Sequence, residues 1–302
     1  MDKKETRMNP ILKGLYADPA IIKVNEDYYI YPTTDGYSGW GGKVFYVFKS
    51  KDKKTWEKVS TVLDFEKGDV PWAISNAWAP CMLHFNNKFY YYFCGKREDG
   101  VSCIGVAESE SPEGPFTAKA EPILTPEIVR GQGLSIGQTI DPAVYVEEGR
   151  AYLLFGNGNP LIVELTADAL GIKLETMASI AGAHDFREAI EVFKRGGKYH
   201  FTWSCDDTGA ENYHVNYGVS DTLYGEIQFL YPILRKNPEK DILGTGHHSI
   251  LAEDEDTYYI AYHRFGTPLE KYPTEKGCHR EVCLDRLYFD EDGYIKEVEP
   301  TN

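Results

Sequence analysis

Apolar residues recur at every second position in short runs along this chain, and each run is followed by a polar turn and a second run dense in Tyr and Phe. Alternation with a period of two marks a strand with one buried face. Asn, Gly, Asp or Glu between two such runs marks a hairpin, because these residues tolerate the positive φ of a tight turn. Segments of this form begin at Asp18, Ala79, Asp141, Glu188 and His247. A second phrase, another apolar run closing on a polar turn, follows from Val47, Gly105 and Gly218, with weaker versions from Ile162 and Val282. Together the two phrases supply roughly four strands per unit, the content of a propeller blade. Five units predict an all-β, five-bladed β-propeller, with residues 1–302 forming a single catalytic domain. A β-sandwich would also need many short strands, but it gives no reason for five equivalent starts.

The starts are unevenly spaced, which points to loops elaborated around a site. The insertion carrying Tyr37-Ser38-Gly39-Trp40-Gly41-Gly42 and the one from Val70 to Trp78 are the expected rim. The 22 Tyr, 14 Phe and 28 Gly suit aromatic strands joined by tight turns, and helical stretches are few. A net charge of −15 without a Lys/Arg cluster argues against a nucleic-acid partner. Cysteines at 81, 94, 103, 205, 278 and 283 form no Cys-x-x-Cys pair, which speaks against zinc or thiol redox chemistry and for small buried side chains. The charged start has no apolar run behind it, so neither a signal peptide nor a membrane anchor is expected, and the compartment stays open between cytoplasmic and exported.

In a propeller the first strand of every blade lines the central channel, so the starts should converge on one axis. Three of the five, Asp18, Asp141 and Glu188, are carboxylic acids. A strand gains nothing from opening on a buried charge, and acids crowded together relieve their repulsion by retaining a proton. That is the requirement of acid/base chemistry. A protonated acid beside a leaving oxygen and a carboxylate beside a water would cleave a glycosidic bond, and a separation wide enough for that water favours inversion. An Asp-Pro that merely starts a turn is the plainer reading of either Asp alone.

Four motifs in order sharpen the picture: Tyr-Ala-Asp-Pro-Ala at 16–20, Thr-Ile-Asp-Pro-Ala at 139–143, Arg-Glu-Ala at 187–189 and Gly-Thr-Gly-His-His-Ser-Ile at 244–250. Over almost the whole chain they resemble glycoside hydrolase family 43. The resemblance implies a five-bladed propeller and an inverting mechanism, with Asp18 as general base, Glu188 as general acid and Asp141 orienting the acid and tuning its pKa. It implies that His247 is the axial histidine, often beside a calcium ion or a water in the channel, a structural ion rather than a cofactor required for chemistry. Arg280 resembles the arginine that faces the sugar, although a salt-bridging surface arginine is the plainer reading. Arg-Glu-Ala stands where part of the family has Glu-Gly-Pro, which leaves the subgroup open.

Trp78, just ahead of the second start, should offer an indole face to a sugar ring. Trp40 and Trp72 are subsite walls or packing anchors, and Asn157 is a polar contact to substrate. The expected partner is an oligosaccharide or polysaccharide, with exo action on β-xylosides or α-L-arabinofuranosides of the plant wall. Endo-xylanase, arabinanase or galactosidase action on the same fold, a carbohydrate-binding propeller without activity, and a protein-interaction propeller are the alternatives.

Overall fold

A computed structural model describes residues 9–302. The charged start at 1–8 lies outside the described residues. Among the described residues nineteen strands fall into five antiparallel sheets in which neighbours in sequence are neighbours in the sheet. Blade 1 holds β1 (Tyr16–Val24), β2 (Asp27–Thr34), β3 (Val44–Ser50) and β4 (Glu57–Asp64). Blade 2 holds β5 (Ser75–Phe85), β6 (Lys88–Lys96), β7 (Ser102–Ser109) and β8 (Thr117–Ala118). In blade 3 are β9 (Ala143–Glu147), β10 (Arg150–Phe155), β11 (Leu161–Glu164) and β12 (Ala178–Ser179), and in blade 4 β13 (Phe186–Arg195), β14 (Lys198–Cys205), β15 (His214–Ser220) and β16 (Gln228–Leu234). Blade 5 has three strands, β17 (Gly246–Ala252), β18 (Tyr258–Phe265) and β19 (Arg280–Leu287). Beyond β19, the N–H of Ile11 donates to Val282 O at 2.9 Å, so the start of the described chain lies along the blade that ends it.

The first hairpins form as the alternation predicts. In blades 2, 3 and 4 the two turn residues, Asn86-Asn87, Glu148-Gly149 and Gly196-Gly197, all have positive φ, the conformation of a type I′ turn. The first strands of successive blades touch in a closed cycle, β1 to β5 to β9 to β13 to β17 and back to β1. A separate apolar core fills each of the five blade-to-blade interfaces. Tyr31, Phe45, Tyr91 and Phe93 lie between blades 1 and 2, and Leu251, Tyr259 and Val282 of blade 5 meet Ile21 and Ile30 of blade 1 to close the ring. The equivalent cores between the other blades centre on Tyr92 and Leu153, on Leu154 and Phe201, and on Tyr217 and Tyr262. All six cysteines are buried and free. No helix among the described residues is long and apolar enough to cross a membrane.

Where each blade meets the axis, one residue has positive φ: Asp18 (47°), Ala79 (41°), Asp141 (59°), Ala189 (56°) and His247 (42°). Four of these lie in a bulge that shifts the register of the first hairpin, and Asp141 precedes β9. This corrects the alignment read from sequence. Glu188 is not the fourth member of the repeat; Ala189 is, and Glu188 stands one position earlier, level with Ala17, Trp78, Ile140 and Gly246. Asp18, Ala79 and Asp141 each precede a proline that marks the register, whereas blades 4 and 5 make the same bulge without one, and in blade 4 the acidic residue that reads as the start stands one position ahead of the bulge.

Candidate active site

At each bulge the freed backbone N–H must find a partner. In four blades it donates to a side chain on the second strand of the preceding blade: Asp18 N to His263 Nδ1 (3.3 Å), Ala79 N to Thr33 Oγ1 (2.7 Å), Asp141 N to Cys94 Sγ (3.1 Å) and His247 N to Ser204 Oγ (2.9 Å). In blade 3 the register puts Gly156 at that position, two residues beyond Leu154, and glycine has no side chain to accept. The N–H of Ala189 faces the Asp141 carboxyl instead and acts to lower its pKa. A cradle repeated for structural reasons thus ties Asp141 to the backbone next to Glu188.

Asp18, Asp141, Glu188 and His247 line one cavity of about 130 Å³, together with Trp40, Trp78, Arg280 and the Arg187–Asp207 pair. A larger cavity of about 270 Å³, sharing Asp18, Asp141 and His247, continues down the axis between the first strands. One carboxylate oxygen each from Asp141 and Glu188 and one ring nitrogen of His247 lie within 4.8 Å of one another.

The three acids are buried alike but surrounded differently. Burial acts to raise the pKa of Asp18, yet Arg280, His247 and His263 outweigh it and hold the carboxyl well below its usual range. Arg280 Nη1 is 3.1 Å from Asp18 Oδ1, and His263 Nδ1 is 3.0 Å from the same oxygen. His247 Nδ1 approaches it at 3.3 Å. Burial drives both histidines towards the neutral form, His263 down to about 3, so the arginine supplies the positive charge beside Asp18. Asp141 and Glu188 are pushed up, first by burial. For Asp141 the neighbouring Glu188 and Asp18 charges add to it, and its Oδ2 is buried without a hydrogen-bond partner. Two carboxyls this close disfavour double ionisation and keep a proton between them.

Glu188 is held at both oxygens, Oε1 by the Tyr213 hydroxyl and Oε2 by Asn157 Nδ2, each at 2.8 Å. From the sequence Asn157 is expected to touch the substrate. In the structure its amide is spent on the acid. Nothing in the sequence points to Tyr213, His263 or Asp35. Asp35 accepts from the N, Nε and Nη2 of Arg280 at 2.8, 2.9 and 3.3 Å and so aims the guanidinium at Asp18. None of the three lies at a repeat start, and no local pattern marks them.

Of the tryptophans, Trp78 and Trp40 line the cavity. Trp78 Nε1 donates to Trp40 O at 2.6 Å and Trp40 Nε1 to Gly277 O at 2.8 Å, so the two loops brace each other. Trp72 stands apart from them. It stacks on Phe93 at 5.9 Å in the core between blades 1 and 2, where Gly95 and Gly105 leave it room; a Cβ at Gly105 would come 2.6 Å from its ring. It is a packing anchor rather than a subsite wall.

The cluster of Asp141, Glu188 and His247 fits a resident calcium poorly. Calcium takes six to eight oxygen ligands, whereas this set offers two carboxylates and a nitrogen, and a cation there would hold Glu188 ionised. No cofactor is required for the chemistry these residues can perform.

Residues 7–295 match the sequence model of the family described as Glycosyl hydrolases family 43. The chain is similar to a beta-D-galactofuranosidase of Aspergillus niger, 30% identical over 308 residues that cover 97% of this chain and 85% of that protein. It is also similar to xylosidase/arabinosidase 43A of Humicola insolens, 29% identical over 356 residues, 97% of this chain and 100% of the relative. Among solved structures it resembles a family 43 enzyme of Xanthomonas citri complexed with xylotriose, with a TM-score of 0.77 and 25% identity over 96% of this chain and 93% of the other.

Proposed function

The chain belongs to glycosyl hydrolase family 43, and from that membership we propose that it is an exo-acting, inverting hydrolase of β-xylosides or α-L-arabinofuranosides in which residues 1–302 work as one catalytic unit. Asp18 is the base, Glu188 the acid and Asp141 the group that tunes the acid. The reading rests on one observation: around a single cavity the surroundings push the acids apart, holding Asp18 ionised and favouring a proton on the Glu188–Asp141 pair. All three contacts of Asp18 named above fall on Oδ1, so Oδ2 is the oxygen left to hold a water.

In the reaction Glu188 gives its proton to the glycosidic oxygen as that bond breaks. Asp18 takes a proton from the water whose oxygen bonds to the anomeric carbon from the opposite face. Trp78 and Trp40 wall the sugar, and Arg280 holds Asp18 as a carboxylate. Exo action and a pentose are supported by a cavity with room on the scale of one sugar and by the name of the Humicola relative. The donor set fits the calcium expected at His247 poorly, and the side chains named here carry each proton transfer themselves.

A second substrate reading, a β-D-galactofuranoside, is favoured by the name of the Aspergillus relative. Nitrophenyl β-xyloside, α-L-arabinofuranoside and β-D-galactofuranoside separate the two, with the anomer of the first product read by proton NMR. The expected outcome is release of the inverted pentose, with a loss of about 10²- to 10⁴-fold in Asp18→Asn on the nitrophenyl substrate and in Glu188→Gln on the corresponding disaccharide, whose leaving group needs the acid. A retained anomer, or near-parental turnover of either variant on that substrate, would overturn the assignment.

A further inference from the structure

We infer that Tyr213 is a positioning residue that holds the Glu188 carboxyl in both of its protonation states, its hydroxyl donating to Glu188 Oε1 in the carboxylate and accepting from the carboxylic acid while donating to Ser204 Oγ. The inference rests on Glu188 being the acid. A general acid passes through both states in every turnover. Asn157 Nδ2 and Arg187 can only donate, and groups that only donate favour the carboxylate. A hydroxyl has one donor and two acceptor lone pairs and can serve either state. Tyr213 is the hydroxyl in contact with Glu188, at 2.8 Å, and the Ser204 hydroxyl is a neighbour of the same phenol.

The ring is fixed so that only the O–H bond need turn. Tyr213 is fully buried and lies parallel to His263, with centroids 5.5 Å apart and planes 7° apart. Gly246 also lies against the ring, where a Cβ would come 2.4 Å from it. Burial also keeps the phenol protonated. When the Glu188 O–H bond breaks and its proton passes to the leaving oxygen, the Tyr213 O–H rotates from Ser204 to the new carboxylate. After the products leave, Asp18 releases its proton to solvent, solvent returns one to Glu188, and the hydroxyl turns back. Ser204 Oγ already accepts from His247 N, and its second lone pair is available to Tyr213.

Tyr213→Phe removes the oxygen and keeps the ring, and Ser204→Ala removes the alternative acceptor. With Tyr213→Phe, kcat/KM on a pentose disaccharide, a poor leaving group, should fall about tenfold or more, the worth of a hydrogen bond to a charged group. The loss on a dinitrophenyl glycoside, whose leaving group needs no proton, should be smaller. The basic limb of the kcat/KM profile should move up in Tyr213→Phe, which loses a donor to the carboxylate. It should move down in Ser204→Ala, where the hydroxyl stays turned to Glu188. Equal losses on both substrates, or basic limbs unmoved or shifted in the same direction, would overturn the role, and Ser204→Ala decides alone if Tyr213→Phe fails to fold. Glu188→Gln measured in parallel tests the underlying reading. If it does not lose more on the disaccharide than on the dinitrophenyl glycoside, the acid assignment fails and this inference falls with it. If it does while the two variants behave like the parent, only the Tyr213 role is lost.

Discussion

At the residue scale, the site separates its acids by what stands beside each one rather than by depth, since all three are buried. Arg280 is the deciding neighbour of Asp18. With Arg280→Gln, Asp18 loses its charged partner while its burial persists, so its pKa rises. The base must be ionised to act, and the acidic limb of kcat/KM should therefore move to higher pH by about 1–3 units, as a pH profile on the aryl pentoside will read. An unmoved limb would show that another group sets it. Arg280 itself is aimed by Asp35, so the electrostatics of the base depend on a residue that touches it only through the arginine.

Two side chains show how single contacts become element-scale features. Trp72 stacks on Phe93 of β6 under the loop ahead of β5, and Trp72→Ala should cost about 3–5 kcal/mol, read as a fall in denaturation midpoint, with KM for the aryl pentoside unaltered. A raised KM would return Trp72 to the binding site. Glu253, just past β17, accepts from Lys23 of β1 and Lys53 beyond β3, at 3.2 and 2.9 Å, and from Tyr28 of β2. This polar clasp spans the interface where the ring closes. Burial acts to raise the pKa of Glu253, but the three donors outweigh it and bring it to about 2. A depressed pKa stabilises the fold above the unfolded value and loses that contribution as pH falls through the folded one. Glu253→Gln should therefore cost about 1–3 kcal/mol at neutral pH, with the difference from the parent disappearing between pH 4.5 and about 2 in denaturant titrations.

At the scale of the whole molecule, five blades placed around an axis create a channel that no single blade possesses. Glu191 lines it two positions after Ala189, and burial raises its pKa to about 8, against one donor, the N–H of Ile250 at 3.0 Å. A raised pKa contributes stability that is complete below the unfolded value and is lost as pH rises through the folded one. The parent should lose stability from pH 4.5 to about 8, and Glu191→Gln should flatten that slope in thermal melts; an identical slope would acquit Glu191. The sequence by itself determined the five-bladed architecture, because alternation and turn chemistry are local and recur five times. It also marked Asp18, Asp141 and Glu188, which stand in the repeat or beside it. The tertiary structure alone decided the register of Glu188, since a bulge without proline leaves no local mark, and the burial of Trp72, since two glycines in other strands make its slot. It likewise decided the parts of Asp35, Tyr213, His263 and Asn157, whose partners are fixed only when the ring closes and brings separate blades within hydrogen-bond reach.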